Sequence, residues 1–307
     1  MANLLDRRKR VIALCLMLGI GAASVTVRWL FANDLSHSGM LYIGVPYLIA
    51  VALLAFMPMR TERWWHGYLN LITWALILFL GSSIVLYEGF ICVIFFIPLY
   101  LLIITLIFLF HAAHRFVRSK RAKAGISVFP VLLLLSAAEG TTPEWSLPRS
   151  NSVTVVASST ISIEQIHANL SGPINMDVER SLLLTIFPMP YEVITPPIAT
   201  GAIHRAKTHY ARWFVTNVVE GEIALIFDEV SRSYIRTRVL RDTSHFAGYL
   251  RLHGTEITLR DADGTTDIEL TIHYTRRLDP AWYFHPLMQR AMGQMGQLLI
   301  EEVLLRD

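Results

Sequence analysis

Residues 252–303 read LHGTEITLRDADGTTDIELTIHYTRRLDPAWYFHPLMQRAMGQMGQLLIEEV, and this stretch decides the fold of the C-terminal half. Its first part alternates apolar and polar residues with a period of two, which is typical of β-strands. RDADGT joins the segments TEITL and TDIELTIHY and carries Asp263 and Gly264 at its tip. An Asp-Gly pair favours a tight turn, so the spacing predicts a β-hairpin.

The second strand of this hairpin has two chemically different faces. One face carries four apolar or aromatic residues: Ile268, Leu270, Ile272 and Tyr274. The other face carries four polar residues: Asp267, Glu269, Thr271 and His273. Because side chains alternate across a strand, we expect the first face to lie in a core and the second to face solvent.

A long amphipathic helix is predicted to close the chain. Asp279 is placed to cap it, and Pro280 occupies the predicted first helical position, where proline is well tolerated. Apolar residues then recur at helical spacing as one stripe. The stripe comprises Phe284, Leu287, Met288, Ala291, Met295 and Leu298, and is widened by Met292 and Leu299.

The segment before the hairpin predicts further strands and one short helix. Residues 141–152, TTPEWSLPRSNS, predict a linker, and SVTVVASST predicts a strand. SIEQIHANL begins with Ser162 and has Gln165 three residues later, the spacing of a capping box at a helix start. A proline-rich stretch, IFPMPYEVITPP, precedes five predicted strands: AIHRAKTHY, ARWFVTNVV, EIALIFDEV, SYIRTRVL and HFAGYLRLHGTEITL.

VVASSTISIEQIHANL at 155–170, the proline-rich stretch and residues 252–303 together carry a resemblance. This half of the chain resembles the START-like helix-grip superfamily, also called the polyketide cyclase and lipid-transport (SRPBCC) group. The resemblance implies an α+β domain in which a curved antiparallel sheet grips the last helix around a cavity for an apolar ligand. More specifically, the chain is similar to bacterial membrane proteins in which several N-terminal helices precede such a domain.

The cavity that the resemblance implies has seven candidate lining residues: Leu270, Ile272, Tyr274, Phe284, Met288, Met292 and Met295. Methionine is unbranched and polarizable, so it adapts to apolar partners of variable shape. The alternative is that the same stripe is ordinary core packing of the helix against the sheet. Both interpretations place these residues between the sheet and the last helix.

Two other functions are alternatives to ligand binding. An enzyme of the cyclase or hydrolase type would need acid–base residues in the cavity, and the candidates are His204, His209, His245, His253 and His273 with Asp228 or Glu229. No nucleophile elbow, zinc-protease, phosphate-loop or paired-cysteine motif accompanies them, so we predict no catalytic residue, metal or cofactor. A protein-interaction or assembly module in the membrane is the third interpretation, with no partner indicated.

The N-terminal half is predicted to be a transmembrane domain. The chain is 53% hydrophobic and 17% charged, and four apolar segments occupy about 11–31, 40–59, 68–87 and 89–110. About 20 residues in a helix match a hydrocarbon core of roughly 30 Å. A shorter run, ISVFPVLLLLSAA at 126–138, predicts a thin fifth span over about 124–140, although a helix lying in the interface is the alternative. The predicted domains are therefore 1–140, the linker 141–152 and 153–307.

The charge distribution sets an orientation. Residues 1–125 carry 12 basic and 4 acidic residues, or 12 − 4 = +8, and the remainder carries 15 basic and 20 acidic, or 15 − 20 = −5. Eleven basic residues lie in the N-terminal segment and in the segments after the second and fourth predicted spans, and none lies in the two opposite loops. The positive-inside rule therefore places the N-terminus and residues 111–125 in the cytoplasm. A fifth span places the C-terminal domain outside the cytoplasmic membrane, the inner membrane of a bacterium.

These predictions converge on a membrane-tethered protein that binds a lipid or another apolar small molecule without catalysis. The lipid bilayer is an expected partner. Nucleic acid is not, because the C-terminal half is mildly acidic and lacks the clustered cations that phosphate requires. Cys15 and Cys92 both lie in apolar runs, which gives no basis for a disulfide framework.

Overall fold

The chain forms two compact units in a computed structural model. Unit 1 comprises Met1–Leu147 and Leu278–Ala281, and unit 2 comprises Pro148–Arg277 and Trp282–Asp307. The division at 147 falls inside the segment predicted as a linker. The structure describes residues 37–56, 64–85, 90–118, 128–174, 178, 180–181, 183–184, 187, 190–213, 216–262 and 264–306.

Unit 1 is helical in its described part. A π-helical turn, Met40–Gly44, leads directly into α1, and three further helices follow: α1 Val45–Phe56, α2 Trp64–Val85, α3 Phe90–Arg118 and α4 Val128–Ala137. Polar side chains join α2 to α3. The Tyr68 and Thr105 hydroxyl oxygens are 2.8 Å apart, and the buried Tyr100 hydroxyl donates to the carbonyl of Ala75 at 2.8 Å.

One described helix is long and apolar enough to cross a membrane by length and composition. This is α3, over the 19 residues Phe95–Ala113, while Met40–Leu54 and Trp65–Leu80 form shorter apolar helices. The predicted first span, 11–31, lies outside the described residues. A bundle of four spans is therefore not shown by the part of the chain that the structure describes.

The predicted short span ends earlier than expected. Its helix, α4, ends at Ala137, and residues 138–140 form a turn in place of the predicted helical extension. The ten described residues of α4 rise about 15 Å at 1.5 Å per residue, half of a hydrocarbon core. The residues before Val128 lie outside the described part, so crossing by this segment remains a prediction.

Unit 2 contains a curled seven-stranded antiparallel sheet and two helices, which is the helix-grip arrangement. The strand order is β1-β7-β6-β5-β4-β3-β2. Each strand from β2 to β7 neighbours the next along the chain, while the first strand crosses to pair with the last. The strands are β1 Ser150–Ser159, β2 Pro190–Ile194, β3 Ile203–Trp213, β4 Thr216–Val230, β5 Tyr234–Asp242, β6 Leu250–Ala262 and β7 Thr265–Arg276.

Two strand predictions had the wrong boundaries. ARWFVTNVV was expected to be one strand, but its first residues end β3 and its last residues begin β4. Gly221 was expected to separate two strands, yet it lies within the 15-residue β4. A Cβ atom at Gly221 would lie 2.6 Å from the Cα of Ser244, so glycine here allows close backbone approach without a turn.

The predicted hairpin is confirmed. Ala262 pairs with Thr265, which leaves a two-residue loop between β6 and β7. Gly264 has φ +92°, a conformation that glycine adopts without the steric cost of a side chain. The face alternation of β7 is also confirmed, because its apolar residues are buried while Asp267 is exposed.

The two helices of unit 2 are α5, Ile163–Ser171, and α6, Ala281–Leu299, which continues as a π-helical turn to Leu304. The predicted start of α5 is confirmed: the Ser162 hydroxyl accepts from the amide of Gln165 at 3.2 Å. The buried Asn169 amide group then donates to the carbonyls of Leu304 and Arg306, at 2.9 and 2.8 Å. The end of the chain is thereby joined to α5.

The predicted start of α6 was wrong by one residue. Pro280 precedes the helix, and the peptide bond between Asp279 and Pro280 is cis. Asp279 accepts from the Ser146 hydroxyl at 3.3 Å, and the Ala281 amide donates to the Glu139 carboxylate at 3.0 Å. All of these residues belong to unit 1, so a carboxylate distant in sequence takes part of the capping role expected of Asp279.

Two glycines of α6 face the sheet at different distances. A Cβ atom at Gly296 would lie 2.8 Å from Val155 Cγ2 and 3.5 Å from Ile272 Cδ1. A Cβ atom at Gly293 would lie 3.7 Å from Val153 Cγ1, an ordinary contact. The helix therefore approaches β1 and β7 most closely at Gly296.

We expect opposite stability effects from alanine at these two glycines. Gly293→Ala should raise the unfolding free energy by about 0.5–1 kcal/mol, because alanine favours helix and fits the available space. Gly296→Ala should lower it by about 1–2 kcal/mol, because overpacking against the stiff Val155 outweighs the helix gain. Urea unfolding of the full chain in detergent, monitored by pulse proteolysis, gives the midpoints that measure the two effects. Equal shifts of the same sign would contradict this packing.

Candidate ligand-binding site

The face of the sheet that α6 covers is called the inner face here. Ile272 lies on it, since its side chain approaches Gly296 of the helix. Directly paired residues of antiparallel strands share a face, so the register extends the assignment from β7 to Val153 on β1 and to Thr255 on β6. The Thr255 hydroxyl is 2.8 Å from that of Thr237, which extends the inner face to β5.

The structure brings the seven predicted site residues together on or against this inner face. Six are nearly closed to solvent, with exposed fractions of 0–8%: Leu270, Ile272, Tyr274, Phe284, Met288 and Met292. The seventh, Met295, is half-buried. These residues form the tightly packed part of the inner face, and their contact with a ligand remains a prediction.

A second part of the inner face is more open, and the sequence prediction missed it. It consists of four half-buried apolar residues on β4, β5 and β6: Ile223, Leu225, Val239 and Leu252. The strand register places these residues on the inner face. Leu225 pairs with Val239 and with the buried His204, and Leu252 pairs with Tyr274. These four residues are called the open apolar patch below.

Sequence alternation could not reveal the open apolar patch. Residues 223–227 of β4 read IALIF, an uninterrupted apolar run in which neither face is distinguishable. Irregularities in pairing between Ala224 and Leu225, and between Leu252 and Gly254, further shift the register along β4 and β6. Only the observed strand pairing identifies which of these side chains face α6.

An aromatic and polar group borders the inner face at the β3–β4 hairpin end. Tyr210, on the same face of β3 as His204, stacks on the ring of His245 with centroids 4.2 Å apart and an interplanar angle of 8°. The Tyr249 hydroxyl lies 3.3 Å from His245 Nε2. His245 follows Ser244, whose backbone lies against Gly221, so this 3-10 turn covers one end of the inner face.

His204 is a buried polar group on the inner face. Its Nε2–H donates to the carbonyl of Pro196 at 2.9 Å, and its ring lies 4.6 Å from that of Phe227. Burial lowers the pKa of this imidazole, although the hydrogen bond to Pro196 acts in the opposite direction. His204 is therefore a neutral side chain that supports the sheet.

The other residues proposed for an enzyme lie on the opposite face. Arg238 makes two bonds to Asp228, at 3.0 and 3.1 Å, and holds the pKa of that carboxyl below its usual value. Arg236 lies 3.8 Å from Glu229. The remaining candidates are His209, which is exposed, His253, which is 2.6 Å from the Thr275 hydroxyl, and His273, which is 3.4 Å from Glu256.

A histidine–carboxylate pair on the inner face is thus not assembled from the candidate residues. His273 faces away from α6, as strand alternation predicted. Among the residues that the structure describes, no group of three or more His, Cys, Asp or Glu side chains is placed to hold a metal ion. The inner face offers apolar surface, aromatic rings and hydroxyls, which are the components of a binding site.

Arg276 is an inner-face residue that the sequence analysis did not single out. It follows Tyr274 by two positions on β7, pairs with the buried Leu250, and is fully buried. Side chains two positions apart on a strand point to the same face, so the alternation that places Tyr274 on the inner face also places Arg276 there. A charged residue contradicts the expectation of an apolar interior, which is why the pattern alone did not assign it.

No protein-family model matches the chain, and no curated protein matches it. Among solved structures, it is similar to Ara h 8.0201, with 11% sequence identity over 51% of this chain and 99% of that chain and a TM-score of 0.31. A START superfamily protein from Mycobacterium smegmatis has 10% identity over 50% and 96%, with a TM-score of 0.33. The ZhuI aromatase/cyclase from a Streptomyces species has 13% identity over 49% and 96%, with a TM-score of 0.27.

The lowered pKa of His204 predicts a loss of stability in acid. As pH falls, the unfolded chain binds the His204 proton first, near its ordinary pKa of about 6.5. The contribution of His204 is therefore complete above that pH and is lost as pH falls through the lower folded pKa. Urea midpoints of the full chain between pH 7.5 and 5.5 should fall more steeply than those of His204→Gln, which keeps a donor for Pro196. Parallel curves would count against a buried neutral imidazole.

Proposed function

We propose that this chain is a membrane-tethered protein that binds a lipid or another apolar small molecule without catalysis. The molecule occupies the space between the inner face and α6. The observation that supports this proposal is the open apolar patch, whose side chains point toward the covered side of the sheet and keep part of their surface accessible.

The physical argument concerns apolar surface. A domain that simply packs a helix on a sheet gains by closing apolar inner-face side chains, as it does at Leu270 and Ile272. Each aliphatic side chain that is fully covered contributes about 1.5–3 kcal/mol, so half-covered side chains leave part of this free energy unused. An apolar guest on the open apolar patch recovers it. Binding sites of this kind are concave, mostly apolar and equipped with a few polar groups.

The helices of unit 1 support the membrane tether. Large apolar side chains are 40–57% exposed along α1, α2 and α3: Leu48, Val51, Trp65, Leu69, Trp74, Ile77, Leu80, Leu102 and Leu109. A helix on the surface of a water-soluble protein presents polar residues outward, whereas lipid accepts apolar ones. The tether keeps the binding domain near a lipid source at high effective concentration.

The orientation follows from charge. Five basic residues between 115 and 123 are expected to remain in the cytoplasm, and no basic residue follows α4 until Arg149. If the segment around α4 crosses, unit 2 lies on the extracytoplasmic side of a bacterial inner membrane. This location gives the binding domain access to lipids of the outer leaflet.

A filling substitution tests the binding site. Leu225→Trp should reduce binding of the apolar dye N-phenylnaphthylamine to the full chain in lipid nanodiscs by about tenfold or more, because indole occupies guest volume. Val156→Trp is the matched control, since Val156 lies on the opposite face and is 72% exposed. It should bind dye as the parent does.

A second filling variant, Leu252→Trp, guards against a folding defect peculiar to position 225. Circular dichroism and urea midpoints should show that the variants retain their fold. Binding by both filled variants at the parental level would remove the inner face as the site. Absence of dye binding by the parent itself, beyond empty nanodiscs, would remove the proposed function.

Cysteine labelling tests the orientation. In a background with Cys15→Ser and Cys92→Ser, an impermeant maleimide should label Ser152→Cys in spheroplasts, because position 152 is exposed on β1. Lys123→Cys should react only after the membrane is broken. Equal protection of both cysteines in intact spheroplasts would place unit 2 in the cytoplasm.

A further inference from the structure

The Tyr274 hydroxyl is a buried polar group that has no hydrogen-bond partner in the described part of the fold. Tyr274 is 0% exposed, and its hydroxyl oxygen has no hydrogen-bond partner among the described residues. Its neighbours on the same face of β7 are Ile272 and Arg276, and Leu252 lies opposite on β6. Burial of an unpaired hydroxyl costs free energy that phenylalanine, of nearly the same shape, would not incur.

The electrostatic surroundings favour a negative acceptor. Burial raises the pKa of the Tyr274 phenol, while the nearby charge of Arg276 acts in the opposite direction. The phenol is therefore neutral and carries a proton to donate. The guanidinium of Arg276 gives a positive potential at the hydroxyl, and a carboxylate gains more from such a potential than a neutral carbonyl does.

A buried methionine of α6 lies at about the level of Tyr274 along the sheet. Gly296 lies against Val155 of β1, and Gly293, one turn earlier in α6, lies against Val153. Followed toward its N-terminus, the helix therefore runs along β1 toward Asn151, which pairs with Tyr274. The preceding turn of α6 carries Met288, which is buried. The hydroxyl is closed to solvent, and an unbranched methionine is a side chain that can rearrange to admit a guest.

We propose that the Tyr274 hydroxyl is the polar anchor of the bound molecule and donates a hydrogen bond to its acidic head group. The ligand class is an amphipathic molecule with a long apolar body and one carboxylate, as in a fatty acid. The apolar body lies along the open apolar patch, which begins at Leu252 beside Tyr274. This inference rests on the proposed function and adds the chemistry of the head group.

Two probes that share the same apolar body and differ only in the presence of a carboxylate test the inference. The acid is 12-(1-pyrenyl)dodecanoic acid and the hydrocarbon is 1-dodecylpyrene, each added to the full chain in nanodiscs and followed by tryptophan-to-pyrene energy transfer. Tyr274→Phe should weaken binding of the acid about tenfold or more and leave the hydrocarbon unchanged. Its ligand-free urea midpoint should equal or exceed that of the parent, because an unpaired buried hydroxyl is removed.

Tyr234→Phe is the matched control, since it removes a tyrosine hydroxyl from β5 on the face away from α6. It should not change the affinity for either probe. Equal loss of both probes in Tyr274→Phe, or an unchanged affinity for the acid, overturns the anchor, while binding of the hydrocarbon by the parent still supports the proposed function. A lower ligand-free midpoint for Tyr274→Phe also overturns it, because the hydroxyl is then paired within the fold. Failure of the parent to bind either probe removes the proposed function itself.

Discussion

The approach of α6 to the sheet at Gly296 is the contact on which the rest of unit 2 depends. With no side chain at that position, the helix lies against Val155 and Ile272, and the neighbouring inner-face residues of β7 become buried. The inner face is therefore packed closely at its β1 and β7 edge. Toward β4 and β5 the apolar residues are less fully covered, and this difference separates the packed part of the face from the open apolar patch, where we propose that the apolar body of a guest lies.

Much of this arrangement followed from local sequence rules. Strict alternation along β7 identified Leu270, Ile272 and Tyr274 as inner residues, and Asp263-Gly264 identified the turn, because both signals act over a few residues. The helical stripe likewise identified Phe284 and Met288. These predictions succeeded where one face of an element is apolar and the other is polar.

The sequence failed where the outcome depends on distant partners. Gly221 was taken for a boundary, although its role is to accept the backbone of Ser244. Asp279 was assigned a cap that Glu139, far away in sequence, supplies in part. The open apolar patch was invisible because IALIF has no alternation, and paired strands with irregular register decide which residues face the helix. Four membrane spans rest on composition and charge, with one described helix of sufficient length.

The pairing of the first strand with the last has a consequence for how the domain is made. Thr154 on β1 bonds to Thr271 on β7 across 117 residues, and Asn169 binds the carbonyl of Arg306 across 137. Contacts of such long range form slowly, since the loop entropy is lost before the contact is gained. During synthesis the ribosome must release β7 before β1 finds its neighbour. The nascent domain therefore spends most of its translation with the sheet unfinished, a period in which chaperones are the natural safeguard.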